Sequence, residues 1–193
     1  MARKSFVGKS FLEAIFTLPL VLPPVSVGYL LLVIFGSNGW GGGWLEKTLG
    51  IRVSFSFWAA VIASMVVAFP LILRSIRSSI EMVDRGLEDA AQLLGKSKWK
   101  TLFSITFPLA LPGIISGWVL AFARSLGEFG ATITFAGNIT GETRTLPIAI
   151  YTLMQSPGKE SSTWRLVIFS IIISLIAMVA SEWMLKRMKH DRD

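Results

Sequence analysis

The chain has 193 residues, of which 52% are hydrophobic and 16% are charged, and its mean hydropathy is +0.61. Because soluble domains carry about 25% charged residues, this composition excludes an ordinary soluble globular protein. The absence of cysteine excludes disulfides and thiol chemistry. The net charge of +7 is explained by basic loops that fix the orientation of a membrane protein, so we expect no nucleic-acid partner.

Four apolar segments reach or approach the length that crosses a bilayer. Segments 14–45, 53–73 and 101–123 contain no charged residue, and segment 166–181 is almost wholly apolar. A bilayer core about 30 Å thick requires roughly 20 residues of helix. We therefore predict an all-α membrane protein with about four transmembrane helices. The predicted spans are residues 18–35, 55–73, 108–132 and 164–185, within a transmembrane domain of residues 18–185.

Residues 1–17 are predicted to form a segment at the cytoplasmic membrane surface. The apolar side chains of residues 10–17 lie beside Lys9 and Glu13, which is typical of an interfacial amphipathic helix. A proline-rich stretch, residues 19–24, then opens the first span, because a proline in the first turn of a helix loses no hydrogen bond.

The distribution of basic residues predicts the orientation of the chain. With the N-terminus inside, basic residues gather in the N-terminal segment, in the loop of residues 74–107 and in the tail of residues 186–193. The outer loops hold only Lys47, Arg52, Arg144, Lys159 and Arg165. Since cytoplasmic loops carry an excess of lysine and arginine, we expect both termini and the 74–107 loop to be cytoplasmic.

Two Gly-Lys-Ser triplets, residues 8–10 and 95–97, invite a nucleotide-binding interpretation. A phosphate-binding loop needs a further glycine before each triplet, and Arg3 and Ala90 occupy those positions. His190 is the only histidine, so the sequence offers no metal-ligand cluster and no Ser/His/Asp arrangement. We therefore expect no catalytic residue, no bound metal and no cofactor in this chain.

Arg124 and Glu128 are clearly ionisable residues within the third predicted span. Their spacing predicts that they share a face of the third span and pair with each other. Charge inside a membrane is costly and marks a candidate functional site. Two interpretations stay open: a pair that fixes helix packing, or an arginine that sets the electrostatics of an anion path.

Small residues in the same span indicate close helix contact. Gly113 and Gly117 form a G-x-x-x-G pair, which lets two helices approach closely. The contact could lie within the chain or between two copies, and the sequence does not distinguish these.

The 74–107 loop contains a helix pattern at residues 87–95. Leu87, Ala91 and Leu94 fall on one side of such a helix, and acidic residues lie toward its positive N-terminal end. Gly95 can end the helix in a left-handed conformation. A solvated connector is one interpretation, but the small residues of the helix allow a partner to approach closely.

The same residues resemble the E-A-A-x3-G-x9-I-x-L-P loop of permease subunits in type I ABC importers. The matching residues are Glu88, Ala90 or Ala91, Gly95, Ile105 and Pro108. If Glu88 is aligned with the glutamate of the pattern, Asp89 stands where the first alanine is expected, and Phe107 replaces the leucine before the proline. In that family the loop forms a coupling helix that sits in a groove of a separate ATPase subunit.

Residues 18–32 and 123–151 are similar to the molybdate permease branch of this family. The resemblance implies a type I permease fold in the prokaryotic inner membrane and import of molybdate, with tungstate as a second candidate. It also implies several partners: an ATP-binding cassette ATPase that binds ATP and Mg²⁺ and docks on residues 88–95, an extracytoplasmic oxyanion-binding protein, a second permease copy and membrane lipid. The alternatives are a sulfate or thiosulfate importer permease, a stand-alone secondary transporter or channel, and a membrane anchor.

One departure from the family pattern concerns the start of the chain. Family members carry a further transmembrane helix before the basic segment that begins here at Ala2. We therefore expect the first family helix to be missing, through either a truncation or a late assigned start, which would leave the core incomplete.

Overall fold

The computed structural model describes Arg3 and residues 6–190, except for the side chains of residues 184 and 186–190. All regular structure in this part of the chain is helical, which confirms the predicted all-α class. Inside a bilayer a helix satisfies its own backbone hydrogen bonds, so an apolar chain of this kind folds into helices. The α-helices are α1 (Lys9–Val21), α2 (Pro24–Phe35), α3 (Trp40–Leu49), α4 (Phe57–Glu81), α5 (Arg85–Leu93), α6 (Lys98–Thr101), α7 (Phe107–Leu126), α8 (Gly130–Phe135), α9 (Leu146–Met154) and α10 (Glu160–His190). A π-helical segment, Leu102–Thr106, joins α6 to α7.

Within the described residues, 3 helical stretches are long and apolar enough to cross a membrane. They are α4, the continuous stretch Lys98–Leu126, and Glu160–Trp183 in α10. The bent pair of α1 and α2 supplies a fourth crossing if both helices form one span. The predicted number of about four spans agrees with these helices in length and composition.

The first predicted span, residues 18–35, is divided between two helices that meet at an angle of 114°. α1 continues through Pro19, and α2 begins at Pro24. Leu22 is extended, with φ −67° and ψ 145°, because the ring of Pro23 disfavours helical backbone in the residue before it. α1 therefore extends beyond the predicted surface segment, residues 1–17, and the predicted first span is not one straight helix.

The third predicted span, residues 108–132, differs from the structure at both ends. The helical stretch starts at Lys98, inside the predicted loop, and passes through the π-helical segment into α7. It ends at Leu126, where Gly127 leaves the helical conformation and α8 follows as a separate short helix. The apolar run therefore contains a helix break that its composition does not reveal.

α4 and α10 are each longer than their predicted spans, residues 55–73 and 164–185. The additional turns of α4 carry Arg77, whose guanidinium lies 2.5 Å from the Glu13 carboxylate of α1. This ion pair joins the ends of α1 and α4 that the charge pattern assigns to the cytoplasm. The predicted basic tail, residues 186–193, lies outside the described side chains.

The main packing contact is the seam between α4 and α7. A methyl group added at Gly113 would overlap the side chain of Ser79, and one added at Gly117 would overlap Ser75. The Ser75 hydroxyl donates a hydrogen bond of 2.6 Å to the Gly113 carbonyl. The glycine pair thus serves packing within the chain, which is one of the two interpretations that the sequence left open.

A buried cluster lies where α2, α4 and α8 meet. Its fully buried members include Ala59, Ala63, Ala131 and Phe135. α10 lies at the edge of the bundle, in contact with α7 and α9. Only 6% of the most apolar part of Glu160–Trp183 is buried. Most of the surface of α10 is therefore available to lipid or to another protein chain.

Candidate functional site

The helix predicted in the cytoplasmic loop is present as α5. It begins at Arg85, before the predicted start, because the Asp84 side chain caps it by accepting a hydrogen bond of 2.8 Å from the Gly86 backbone N–H. Sequence reasoning missed this cap, although aspartate before an apolar-periodic segment is a recognised N-cap pattern.

α5 ends at Gly95 in the way that the sequence predicts. Gly95 has a φ of +85°, in the left-handed region. Its backbone N–H donates to the Gln92 carbonyl at 3.0 Å, and the Lys96 N–H donates to the Ala91 carbonyl at 3.0 Å. These two bonds form a Schellman motif, which satisfies carbonyl groups that the end of a helix otherwise leaves unpaired.

The two sides of α5 have different surroundings. Ala91 is 6% exposed and packs against the protein, whereas Asp89 and Ala90 are exposed. Leu93 and Leu94 are 88% and 87% exposed, so Leu94 does not share the buried side with Ala91 as predicted. Leu94 differs because it follows the last helical residue and turns away with the chain. The result is an apolar end of α5 that is open to solvent.

Glu88 points into the protein, unlike its acidic neighbour in the sequence. Its Oε1 atom accepts a hydrogen bond of 2.6 Å from the Thr106 hydroxyl and lies 3.2 Å from an Arg3 guanidinium nitrogen. The same Arg3 nitrogen donates to the Val83 carbonyl at 2.7 Å. Glu88 therefore connects three parts of the chain: the N-terminal segment, α5 and the start of the third span. Sequence reasoning missed Arg3 and Thr106, because no local pattern reports contacts between residues so distant along the chain.

Ile105 and Pro108 lie where the loop becomes the spanning helix. Ile105 is half-buried in the π-helical segment, and exposed Pro108 is in the first turn of α7. In this widened turn the Phe107 N–H donates to the Leu102 carbonyl. Pro108 has no N–H to donate, so a regular helical ladder cannot pass through this point. The structure thus places Ile105 in the π-helical segment, next to the Thr106 that contacts Glu88, and not on the surface of α5.

Aromatic side chains extend the exposed apolar surface beyond α5. Trp99 is 72% exposed and Phe103 is 65% exposed, and their rings stack at a centroid distance of 6.4 Å. Lysines flank them in the sequence. Large exposed aromatic groups with basic neighbours are typical of a protein contact or of a membrane interface.

Arg124 and Glu128 form an ion pair with a distance of 2.8 Å between Nη1 and Oε2. Glu128 does not lie in the spanning helix as predicted, because α7 ends at Leu126. Its carboxylate is 1% exposed, and Oε1 accepts a hydrogen bond of 2.7 Å from the Ala131 backbone N–H. The pair therefore spans the break between α7 and α8, with Oε1 in a hydrogen bond to the backbone and Oε2 in the ion pair with Arg124.

An open cleft lies beside this break, between α7, α9 and α10. Its volume is about 480 Å³, and its lining is mainly apolar. The rings of Phe129 and Tyr151 meet at its edge with a centroid distance of 5.0 Å. Ser170 and Ser174 of α10 supply polar groups. Among the residues that the structure describes, no group of three His, Cys, Asp or Glu side chains could hold a metal ion.

The sequence matches the family model described as binding-protein-dependent transport system inner membrane component over residues 1–190. The chain belongs to this family. It is thus a membrane permease component, and the fold and the apolar helices are those of a multi-pass inner-membrane protein.

Two relatives are similar to this permease over nearly its whole length. It is 56% identical to the molybdenum transport system permease protein ModB of Haemophilus influenzae over 98% of this chain and 82% of that protein. It is 55% identical to the molybdenum transport system permease protein ModB of Escherichia coli K12 over 100% of this chain and 83% of that protein. These relatives confirm the predicted resemblance to the molybdate permease branch.

A solved structure supports the fold of the permease. The MetNI methionine ABC transporter in an inward-facing conformation matches with a TM-score of 0.69 at 15% identity, over 93% of this chain and 74% of that chain. At this level of identity the match concerns the fold alone, which is the predicted type I ABC importer permease fold.

Proposed function

We propose that this chain is the permease subunit of an ATP-driven importer that moves molybdate, and tungstate as a second candidate, into the cytoplasm. The observation that carries the proposal is the identity of 56% and 55%, over nearly the whole chain, to two relatives named as molybdenum transport permeases. The permease itself supplies a path and a lever, and a separate ATP-binding cassette ATPase hydrolyses ATP.

α5 is the surface on which the ATPase docks. Its exposed end presents Leu93 and Leu94, and the exposed Asp89 and Ala90 leave room for close approach. Apolar side chains with this exposure gain free energy when a partner removes them from water. Both ends of α5 are capped, so the helix can be displaced as one unit when the ATPase subunits close.

The proposal includes further partners. A second permease copy forms the other wall of the translocation path, and an oxyanion-binding protein delivers the anion from outside. Exposed apolar side chains along α10 face lipid or the second copy. Switching between inward-open and outward-open states requires a packing arrangement with two stable forms, which both the ATPase and the binding protein can bias.

Arg124 and Glu128 act as a packing pair in this proposal, and not as the anion path. Glu128 is buried, and it is held by both Arg124 and the Ala131 N–H. A carboxylate in this position repels an anion, and its charge cancels that of the arginine. The pair thus fixes the angle between α7 and α8 beside the cleft.

Reconstitution with candidate ATPase subunits and the binding protein tests the proposed function. We expect binding protein loaded with molybdate to stimulate ATP hydrolysis, whereas unloaded binding protein gives little stimulation. Stimulation by sulfate in place of molybdate would contradict the substrate and leave the importer class intact. If no ATPase copurifies with the chain under any condition, the importer class itself is wrong.

A further inference from the structure

We propose that Thr106 and Arg3 are positioning residues that use Glu88 to fasten the coupling helix α5 to the start of the spanning helix α7. This inference rests on the proposed function, because it concerns how displacement of α5 by an ATPase reaches the membrane. The contact passes directly between side chains and bypasses the intervening loop.

The geometry of the contact is that of a fixed link. One carboxylate oxygen of Glu88 accepts from the Thr106 hydroxyl at 2.6 Å and lies 3.2 Å from Arg3. Thr106 is 3% exposed, and the side chains of Arg3 and Glu88 are 24% and 17% exposed. Hydrogen bonds that involve a charged group are roughly twice as strong as neutral ones, and shielding from water strengthens them further.

The covalent connection between α5 and α7 is a poor transmitter of force by comparison. It contains left-handed Gly95, the single helical turn of α6, and the π-helical segment. Hinge motions are absorbed by loop and element-terminal residues, and the loop around Gly95 lies between α5 and the helical stretch that starts at Lys98, so part of a push on α5 would be absorbed there. A direct bond from Glu88 to Thr106 removes this freedom.

Packing of α5 against the chain is also slight. Within α5, every residue of which the structure describes, Ala91 alone is buried. A methyl group buries little apolar surface, so the position of α5 depends on its polar contacts. Glu88 supplies the side-chain contact from the middle of α5 to the third span.

Thr106 is also the last residue of the π-helical segment, directly before α7. Its hydroxyl is therefore bonded directly before the first residue of α7. Movement of α5 toward or away from the membrane would carry the first turn of α7 with it. The rest of α7 follows because its packing against α4 is tight.

Thr106→Val is the decisive variant, because valine keeps the branched shape and removes the hydroxyl. Thr106→Ser is the matched control, because serine keeps the hydroxyl and loses only a methyl group. In the reconstituted complex we expect Thr106→Val to bind the ATPase and hydrolyse ATP normally. Uptake per ATP hydrolysed should fall by about tenfold, the size expected for losing one hydrogen bond to a charged group. Thr106→Ser should retain the wild-type ratio.

A double-mutant comparison identifies the partner of Thr106. Glu88→Ala, which removes the acceptor oxygen, should also lower uptake per ATP, and the double variant Glu88→Ala/Thr106→Val should be no worse than the more impaired single variant. Losses that multiply in the double variant would overturn the link between these two residues. If Thr106→Val fails to assemble, Arg3→Gln gives the same comparison at the other contact of Glu88.

The inference and the proposed function fail in different ways. A wild-type chain that binds no ATPase overturns both. A wild-type chain that couples normally, together with a Thr106→Val variant of unchanged uptake per ATP, overturns the inference alone.

Discussion

Arg124 and Glu128 show how a buried ion pair can serve structure inside a membrane protein. Removing one member of a buried pair leaves the other charge without compensation, which costs about 3–5 kcal/mol. The Glu128 carboxylate is 1% exposed and also accepts from the Ala131 N–H, whereas the Arg124 side chain is 31% exposed, so the buried charge is that of Glu128. The pair therefore has a stability role that can be measured.

Arg124→Gln should lower the free energy of unfolding by about 3 kcal/mol because Glu128 is then buried without its counter-charge. The thermal unfolding midpoint of the purified chain in detergent measures this loss. Arg52→Gln is the control, since Arg52 is 65% exposed in its ion pair with Glu46 and its removal should change little. A stable, assembled Arg124→Gln protein that no longer imports anion would instead support the path interpretation.

Gly95 is a second residue with a specific backbone requirement. Proline fixes φ near about −65°, which is incompatible with the φ of +85° observed here, and it removes the N–H that bonds to Gln92. We expect Gly95→Pro to uncouple ATP hydrolysis from uptake while the chain still inserts into the membrane.

Gly95→Asn is the control, because asparagine tolerates the left-handed region better than other residues. A bulky side chain at Ala91, which is 6% exposed, should have the same effect as Gly95→Pro by pushing α5 off the protein. If Gly95→Pro and Ala91→Leu both couple normally, the loop is only a connector.

The packing of α4 against α7 depends on small residues. Gly117→Val should destabilise the chain by about 1–3 kcal/mol, because the new side chain would overlap Ser75. Gly127→Val is the matched control, since a Cβ there meets no atom within 4 Å. Unfolding midpoints of the two variants measure the difference, and equal midpoints would show that the seam tolerates extra volume.

The helices that the sequence predicted well carry local patterns. The end of α5 was predictable because glycine in the left-handed region is a local property of Gly95. The break near Pro23 was harder to locate, since an apolar run with several prolines fits more than one boundary. The break after Leu126 has no proline, and Glu128, which follows it, accepts a hydrogen bond from the Ala131 N–H.

The candidate site was predictable only in part, because some of its contacts join residues that are distant along the chain. Glu88 and Gly95 follow from a motif, but the partners Arg3 and Thr106 come together only when the chain folds. The motif suggested one contiguous surface, whereas the structure directs Glu88 inward and Leu94 outward. Side-chain direction at the ends of a short helix is set by tertiary contacts, which periodicity does not encode.

α7 connects the Glu88 contact on the cytoplasmic loop with the Arg124–Glu128 pair. It has 20 residues, so it is about 30 Å long, comparable to the bilayer core. The Glu88 contact lies just before its start, and the Arg124–Glu128 pair lies at its end. A displacement at the coupling helix would thus reach the break beside the cleft through one packed helix.

The orientation of the chain gives a direct prediction, because the sequence has no cysteine and single introduced thiols can be labelled without background. A membrane-impermeant maleimide should label Leu94→Cys only from the cytoplasmic side. It should label Trp44→Cys only from the outer side, because the Trp44 side chain of α3 is exposed. The reverse pattern would contradict the charge-based topology and place α5 away from any cytoplasmic ATPase.

Molybdate accumulation in vesicles that contain the permease, its ATPase and the external binding protein distinguishes an ATP-driven importer from the other transporter classes. We expect molybdate to accumulate against its gradient only when ATP is on the side of α5 and the binding protein is on the opposite side. Accumulation driven by an ion gradient without ATP would make the chain a secondary transporter. Simple equilibration without ATP would make it a channel, and either result would contradict the account.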